Sequence, residues 1–76
     1  MSPLPVLKPR RILRALERAG FVIDHQTGSH AQLRHPWKSH LRVTVPRHDR
    51  YDIPRSTLRS ILRQADMTEE EFLELL

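Results

Sequence analysis

The residues with the clearest chemical potential in this sequence are five histidines, at positions 25, 30, 35, 40 and 48. Cysteine is absent, so the chain offers neither a thiol nucleophile nor a thiolate metal ligand. The repeated spacing of five suggests a set of metal ligands, but on strands it alternates between the two faces, and no clustered carboxylates complete a site. We therefore predict no metal and no cofactor, and interpret His25, His35 and His40 as strand-end and turn residues.

His30 has a distinct context because it follows Gly28-Ser29 directly and begins an alternating segment. Ala31 and Leu33 belong to one side of that segment, so His30 belongs to the opposite side, away from the core. Imidazole exchanges a proton close to neutral pH, and arginines share its side of the segment. In RNA cleavage a base removes the proton of the ribose 2′-OH, which then attacks the adjacent phosphorus, while cations stabilise the phosphoryl oxygens. The sequence contains both kinds of group.

Two longer helices and one short helix are expected around the strands. Pro9 fits the first turn of a helix over residues 9–19, which Gly20 ends. A second helix begins at Pro54 and ends at Asp66, and Thr68 then opens a capping box for the last short helix. Each longer helix shows a stripe of arginines, namely Arg11, Arg14 and Arg18 on the first and Arg55, Arg59 and Arg63 on the second.

Three short strands are predicted between those helices, at residues 21–26, 30–34 and 41–45. Turns at residues 27–29 and 36–40 connect them, so the strands form an antiparallel meander with one buried face, which helix one covers. The predicted fold class is α+β, in the order α-β-β-β-α. Its three-stranded antiparallel sheet has helices packed on one face, and a short extra helix follows at the C-terminus.

The charge of the 76 residues is unevenly distributed, although the formal net charge is only +4. All 13 Lys and Arg residues lie in residues 1–65 with four acidic residues, giving +9, whereas residues 66–76 carry five acidic residues and −5. Such a basic body suits a polyanion such as a nucleic acid; the alternative interpretation is a solvated charged surface.

The length predicts a single domain over residues 1–76, with residues 1–8 as an irregular lead-in. The longest apolar runs have three or four residues, and the N-terminus lacks the apolar stretch of a signal peptide, so we expect a soluble cytoplasmic protein with no membrane partner. Trp37 and Tyr51 fall in predicted loops where either could stack on an exposed base, while Trp37 could equally pack on a neighbour or meet a partner protein. Phe21 and Phe72 lie in apolar contexts and are assigned to the core.

Several motifs together resemble the HicA family of toxin–antitoxin mRNA interferases, along nearly the whole chain. They are Gly20-Phe21, Gly28-Ser29-His30, Arg34-His35-Pro36, Val43-Thr44-Val45-Pro46, Thr57-Leu58-Arg59-Ser60-Ile61-Leu62-Arg63-Gln64-Ala65 and Glu71-Phe72-Leu73. The resemblance implies a domain similar to double-stranded-RNA-binding domains, ribosome-independent cleavage of mRNA that arrests growth, and neutralisation by a HicB-like antitoxin. It also implies that His30 is the catalytic histidine, with Gly28 and Ser29 as the turn that presents it.

Two segments depart from the family pattern. Asp66 stands where the family commonly has glycine, and a left-handed Asp can still end the helix, so we expect no functional consequence. Pro3-Leu4-Pro5-Val6 lies outside the motifs, as a disordered lead-in or a contact arm, and we favour the former.

A set of residues is the candidate RNA-binding surface, with solvent-facing side chains as the alternative interpretation: Arg11, Arg14, Arg18, Arg34, Arg42, Thr44 and Arg59. Arg63 is the expected partner of Glu69 or Glu70 in the acidic tail. Two other functions remain open: a non-catalytic RNA-binding module of the double-stranded-RNA-binding type, and an interaction partner in a repressor complex.

Overall fold

The computed structural model describes residues 4–76. Its elements are α1 (Pro9–Arg18), β1 (Val22–Thr27), β2 (His30–Arg34), β3 (Arg42–Pro46), α2 (Arg55–Gln64) and α3 (Glu69–Glu74). These bounds lie within one or two residues of the predicted ones. The α+β class and the α-β-β-β-α order with an additional short helix are therefore confirmed.

The three strands form one antiparallel sheet in the order β1-β2-β3, so β2 is the central strand. A two-residue turn at Gly28-Ser29 connects β1 to β2, and Gly28 has a φ of +48°, which glycine adopts without steric cost. A Cβ at Gly28 would meet no atom within 4 Å, so the backbone conformation, and not a close approach, is the reason for this glycine. Along β1 the register shifts between Ile23 and His25, which leaves Asp24 as a bulge.

Only part of the sheet is covered by helices. Ala31 and Leu33 of β2 and Val43 and Val45 of β3 are buried, and both α1 and α2 pack against β3. All six residues of β1 are exposed. The expectation that helix one covers the buried face of the whole meander is therefore wrong: two helices share the task and leave β1 open.

The predicted helix ends are confirmed in detail. Gly20 and Asp66 have left-handed φ values of +101° and +55° after α1 and α2. Thr68 forms both hydrogen bonds of a capping box with Glu71, at 2.8 and 3.0 Å. The hydrogen bond from the Thr68 backbone N–H, followed by that involving the Thr68 side chain, holds the pKa of the Glu71 carboxyl below its ordinary value.

Residues 4–8, which precede α1, have irregular backbone but contact the rest of the fold. Leu4 is fully buried, Leu7 forms a backbone bridge with Ile53, and Lys8 pairs with Asp52 at 2.8 Å. Pro3 lies outside the described residues. For Leu4 the favoured disordered lead-in is wrong, because its side chain belongs to the hydrophobic core.

His35 is the one buried polar side chain within residues 4–76, and it connects α1 to the turn after β2. Its Nε2 lies 3.2 Å from the Ala19 carbonyl oxygen, and its Nδ1 accepts from the Trp37 backbone N–H at 3.2 Å. The ring also packs edge-on against Phe21, with centroids 5.0 Å apart. His35 is therefore a buried residue that connects two segments of the fold, and not the ordinary turn residue that the sequence suggested.

Candidate active site

The face of the sheet that carries no helix presents side chains in three cross-strand rows. Directly paired residues of antiparallel strands share a face, so the ladder assigns each exposed residue to a row. His30 is paired with Thr27 on one side and Pro46 on the other, and these three residues form the row beside the β1–β2 turn. His30 therefore lies on the central strand of an open face, with its ring exposed to solvent as predicted.

The next two rows extend this face away from the turn. The middle row consists of His25, Gln32 and Thr44, and the third consists of Val22, Arg34 and Arg42. Successive rows are about 7 Å apart, because residues two apart along a strand share a face. A phosphate placed above the middle row would therefore be within reach of the His30 imidazole on one side and of the Arg34 and Arg42 guanidiniums on the other.

Ser29 contacts the candidate catalytic ring directly. Its Oγ lies 3.4 Å from Nδ1 of His30, and the turn at Gly28-Ser29 leads directly into β2, which begins at His30. A hydrogen bond at Nδ1 leaves Nε2 as the ring atom available for proton exchange with a substrate. The two residues predicted to support His30 are therefore next to it, and Ser29 is in a position to orient it.

Arg34 and Arg42 share a single carboxylate. Asp24 accepts a hydrogen bond from Arg34 Nε at 3.1 Å and from Arg42 Nη1 at 3.4 Å. The bulge in β1 supplies this carboxylate at the third row. The two guanidiniums are about half-exposed or more, and both are bonded to Asp24, an acid that the sequence did not indicate as part of the site.

The predicted arginine stripes are only partly free. Arg11 and Arg14 of α1 are exposed, whereas Arg18 donates from Nη1 to the Leu75 carbonyl oxygen at 2.6 Å. On α2, Arg59 and not Arg63 pairs with Glu69, at 3.4 Å. The expectation for Arg63 is wrong because α3 turns back so that its first residue lies beside Arg59, one helical turn earlier.

The aromatic residues divide as the sequence indicated. Phe21 and Phe72 are buried, while Trp37 and Tyr51 are 88% and 67% exposed. Tyr51 borders an open pocket of about 370 Å³, whose other lining residues include Pro46 of the His30 row and His48. Trp37 lies in the turn between β2 and β3, where its backbone N–H bonds to His35.

Three features near His30 were not predicted from the sequence. His25 lies on the same face, because it is two residues from Thr27, the partner of His30, and is itself paired with Gln32. The backbone N–H of Thr44, a residue predicted for this surface, donates to Gln64 Oε1 of α2 at 2.9 Å, a contact that the sequence did not indicate. Arg47 ties the end of β3 to β1 through Gln26 at 2.9 Å. Alternation counted from Ile23 assigns His25 to the buried face, whereas alternation counted back from the two-residue turn assigns it to the face of His30. The two counts differ because of the bulge at Asp24.

Neither a metal cluster nor a membrane segment is seen in the described part of the chain. Across residues 4–76 no three His, Asp or Glu side chains converge as a set of metal ligands. None of the helices in the same range has the length and apolar character needed to cross a bilayer.

Comparison with known proteins places the chain in one family. A search of curated proteins gave no match. In contrast, the family model described as the HicA toxin of bacterial toxin–antitoxin systems matches residues 9–67, from the first residue of α1 to the segment after α2. This match includes the turn, the three rows of the open face and both arginine stripes, and the chain therefore belongs to the HicA toxin family.

Proposed function

We propose that this toxin is an endoribonuclease that cleaves mRNA independently of the ribosome, with His30 as a catalytic residue. The observation that carries the proposal is the position of His30 on the central strand of an open sheet face, two rows from a pair of guanidiniums. Imidazole supplies proton transfer and guanidinium supplies charge neutralisation, so the residues of this face can support the reaction without a bound metal.

The reaction begins when an imidazole removes the proton of a ribose 2′-OH. The 2′-oxygen then bonds to the adjacent phosphorus, the bond from phosphorus to the 5′-oxygen breaks, and the 5′-oxygen takes up a proton. The products are a 2′,3′-cyclic phosphate and a 5′-hydroxyl. Arg34 and Arg42 neutralise the phosphoryl oxygens, and Ser29 orients the His30 ring through Nδ1.

RNA is held mainly through its phosphates. Arg11 and Arg14 offer exposed guanidiniums on α1, and Arg18 and Arg59 add positive charge although each already has a partner within the fold. Phosphate contacts of this kind fix position and orientation without reading sequence. Binding should therefore weaken steeply with salt.

Neutralisation is assigned to a HicB-like antitoxin that covers the open face. An acidic partner complements the +9 charge of residues 1–65 and would cover His30 together with the arginines. Toxin and antitoxin would meet in the cytoplasm, where the mRNA substrate is present. A complex in which His30 stays open to solvent would contradict this part of the proposal.

The central test is RNA cleavage by purified protein in EDTA, comparing wild type with His30→Ala. We expect wild type to cut RNA and His30→Ala to lose about 10²–10⁴-fold in rate, the usual contribution of one proton-transfer group. His40→Ala is the matched control, because His40 is an exposed histidine in the turn before β3. Circular dichroism and RNA binding of His30→Ala should match wild type, since the side chain is exposed.

Two results would overturn the proposal in favour of the other functions. If wild type binds RNA but never cuts it, and its expression without antitoxin does not slow growth, the chain is a non-catalytic RNA-binding module. If it binds the antitoxin tightly but neither binds nor cuts RNA, it acts as an interaction partner in a repressor complex. Growth and RNA integrity after induction, with and without the neighbouring antitoxin gene, separate these outcomes in cells.

A further inference from the structure

The cleavage reaction needs two proton transfers, whereas the proposed function assigns only one histidine. One group must accept the proton of the 2′-OH, and another must supply a proton to the 5′-oxygen as its bond to phosphorus breaks. In an in-line displacement these two oxygens lie on opposite sides of the phosphorus. The two proton-transfer groups must therefore stand several ångströms apart and face the same phosphate.

His25 meets this requirement. It is exposed, and its pairing with Gln32 places it on the same open face as His30, one row nearer to the arginines. His30 is paired with Thr27, two residues from His25 on β1, so the two histidines are diagonal neighbours across the β1–β2 ladder. Side chains in this relation stand about 7–8 Å apart at the backbone, which leaves room for a phosphate between two imidazoles.

We propose that His25 is the second proton-transfer residue of the cleavage site. One of the two histidines, in its neutral form, accepts the 2′-OH proton, and the other, as imidazolium, donates a proton to the 5′-oxygen. After one turnover the charges are exchanged, and solvent restores both protonation states. The inference rests on the proposed ribonuclease function and extends it.

The charged groups around His25 are compatible with either role. Asp24 precedes it on β1, and Arg34 and Arg42 face it from the next row on β2 and β3. Because Asp24 bonds to both guanidiniums, this cluster carries one net positive charge beside the middle row. On the other side, Arg47 is bonded to Gln26 and Asp49.

The other histidines do not share this geometry. His35 is buried, and both of its ring nitrogens have partners within the protein. His40 lies in the turn before β3, and His48 follows the end of β3 beside the Tyr51 pocket. His25 is thus the only histidine of residues 4–76 that the strand register places on the face of His30.

The test compares His25→Ala and His30→Ala on two substrates. The first is an ordinary RNA, and the second carries sulfur in place of the 5′-bridging oxygen at one junction. A thiolate leaves without being protonated, since thiols are far more acidic than alcohols. A variant lacking the acid is therefore rescued on the sulfur substrate, whereas a variant lacking the base is not.

We expect His25→Ala to lose at least about 10²-fold in kcat/KM on ordinary RNA, with unchanged circular dichroism and RNA binding. One of the two variants, and not both, should recover close to the wild-type rate on the sulfur substrate, and that variant identifies the residue that acts as the acid. The pH–rate profile of wild type should be bell-shaped, and each variant should lose one limb. His25→Gln repeats the test with a side chain of similar size if His25→Ala folds poorly.

Failure of this inference can be told apart from failure of the proposed function. If wild type cuts RNA, His30→Ala does not, and His25→Ala cuts at the wild-type rate like the His40→Ala control, only the role of His25 is overturned. If neither variant recovers on the sulfur substrate, the assignment of His25 and His30 as acid and base is also wrong, because neither substitution has removed the group that protonates the 5′-oxygen. If wild type does not cut either substrate, the ribonuclease function itself fails.

Discussion

If Arg34 and Arg42 bind RNA as proposed, replacing Asp24 by Asn should strengthen RNA binding, because the Asp24 carboxylate would compete with phosphate for both guanidiniums. The substitution keeps the shape of the side chain and removes one negative charge from the third row of the open face. Both ion pairs are half-exposed, so their loss should cost the fold no more than about 1 kcal/mol.

The size of the effect follows from Coulomb's law. A phosphate at the far edge of either guanidinium lies about 7 Å from the Asp24 carboxylate, where a unit charge is worth about 0.6–1.2 kcal/mol at an effective dielectric constant between 40 and 80. This corresponds to a Kd lower by about 3–8-fold at low salt. If one more phosphate is neutralised, the slope of log K against log salt should steepen by about 0.7–0.9.

The assay is fluorescence anisotropy of a labelled RNA across a salt series, with His30→Ala as the background so that the RNA stays intact. Asp52→Asn is the matched control, because Asp52 is also half-exposed in one ion pair, but neither it nor its partner Lys8 belongs to the three rows of the open face. It changes the net charge equally and should alter Kd less than Asp24→Asn does. Equal gains from the two substitutions, or no gain from Asp24→Asn, would refute the idea that RNA uses the third row.

Three further predictions concern the stability of the fold. Gly20→Ala should destabilise it by about 3 kcal/mol, because φ is +101° there and a Cβ would lie 2.8 Å from Nε2 of His35, whose two hydrogen bonds would be lost. In a His35→Ala background the cost of Gly20→Ala should fall to about 1–2 kcal/mol in urea melts, and an unchanged cost would mean that the contact is not its cause. Glu71→Gln should be less stable than wild type at neutral pH, and the difference should shrink in acid. The lowered pKa of the Glu71 carboxyl stabilises the folded state above the ordinary carboxyl range, and this stabilisation is lost as the pH falls through the lowered pKa. A stability difference in thermal melts that stays the same from neutral pH to acid would contradict this prediction. Phe72→Ala should cost about 3–5 kcal/mol, since its ring is fully buried, and a smaller loss in the same melts would show that α3 does not hold the core.

Local patterns made much of the fold predictable. The alternation of Ala31 and Leu33 against His30 gave the face of the central strand, since side chains on a strand have a strict period of two. The capping box at Thr68 and the left-handed residue at Asp66 depend on neighbours within a few positions, so both were visible in the sequence. The exposed position of His30 followed from the same reasoning.

The features that were missed depend on contacts between distant segments. The segment of the buried Leu4 is attached by the bridge between Leu7 and Ile53 and by the hydrogen bond from Arg55 of α2 to the Leu4 carbonyl oxygen. His35 contacts the Ala19 carbonyl oxygen at the end of α1. Asp24 joins the site through a one-residue bulge that no local pattern announces. The pairing of Arg59 with Glu69 depends on the angle between two helices, which sequence separation alone does not give.

The open position of β1 divides the site between a stable strand and a labile one. β2 is paired on both sides and carries buried Ala31 and Leu33, whereas β1 is paired only with β2 and has no buried residue. Strands with few buried contacts open locally at a free energy below that of global unfolding. Amides of β1 should therefore exchange with deuterium well before those of β2, and antitoxin bound to this face should slow the exchange of β1 most. The β2 residues of the site are thus fixed with the core, whereas the β1 residues are expected to separate from β2 and pair with it again without the protein unfolding.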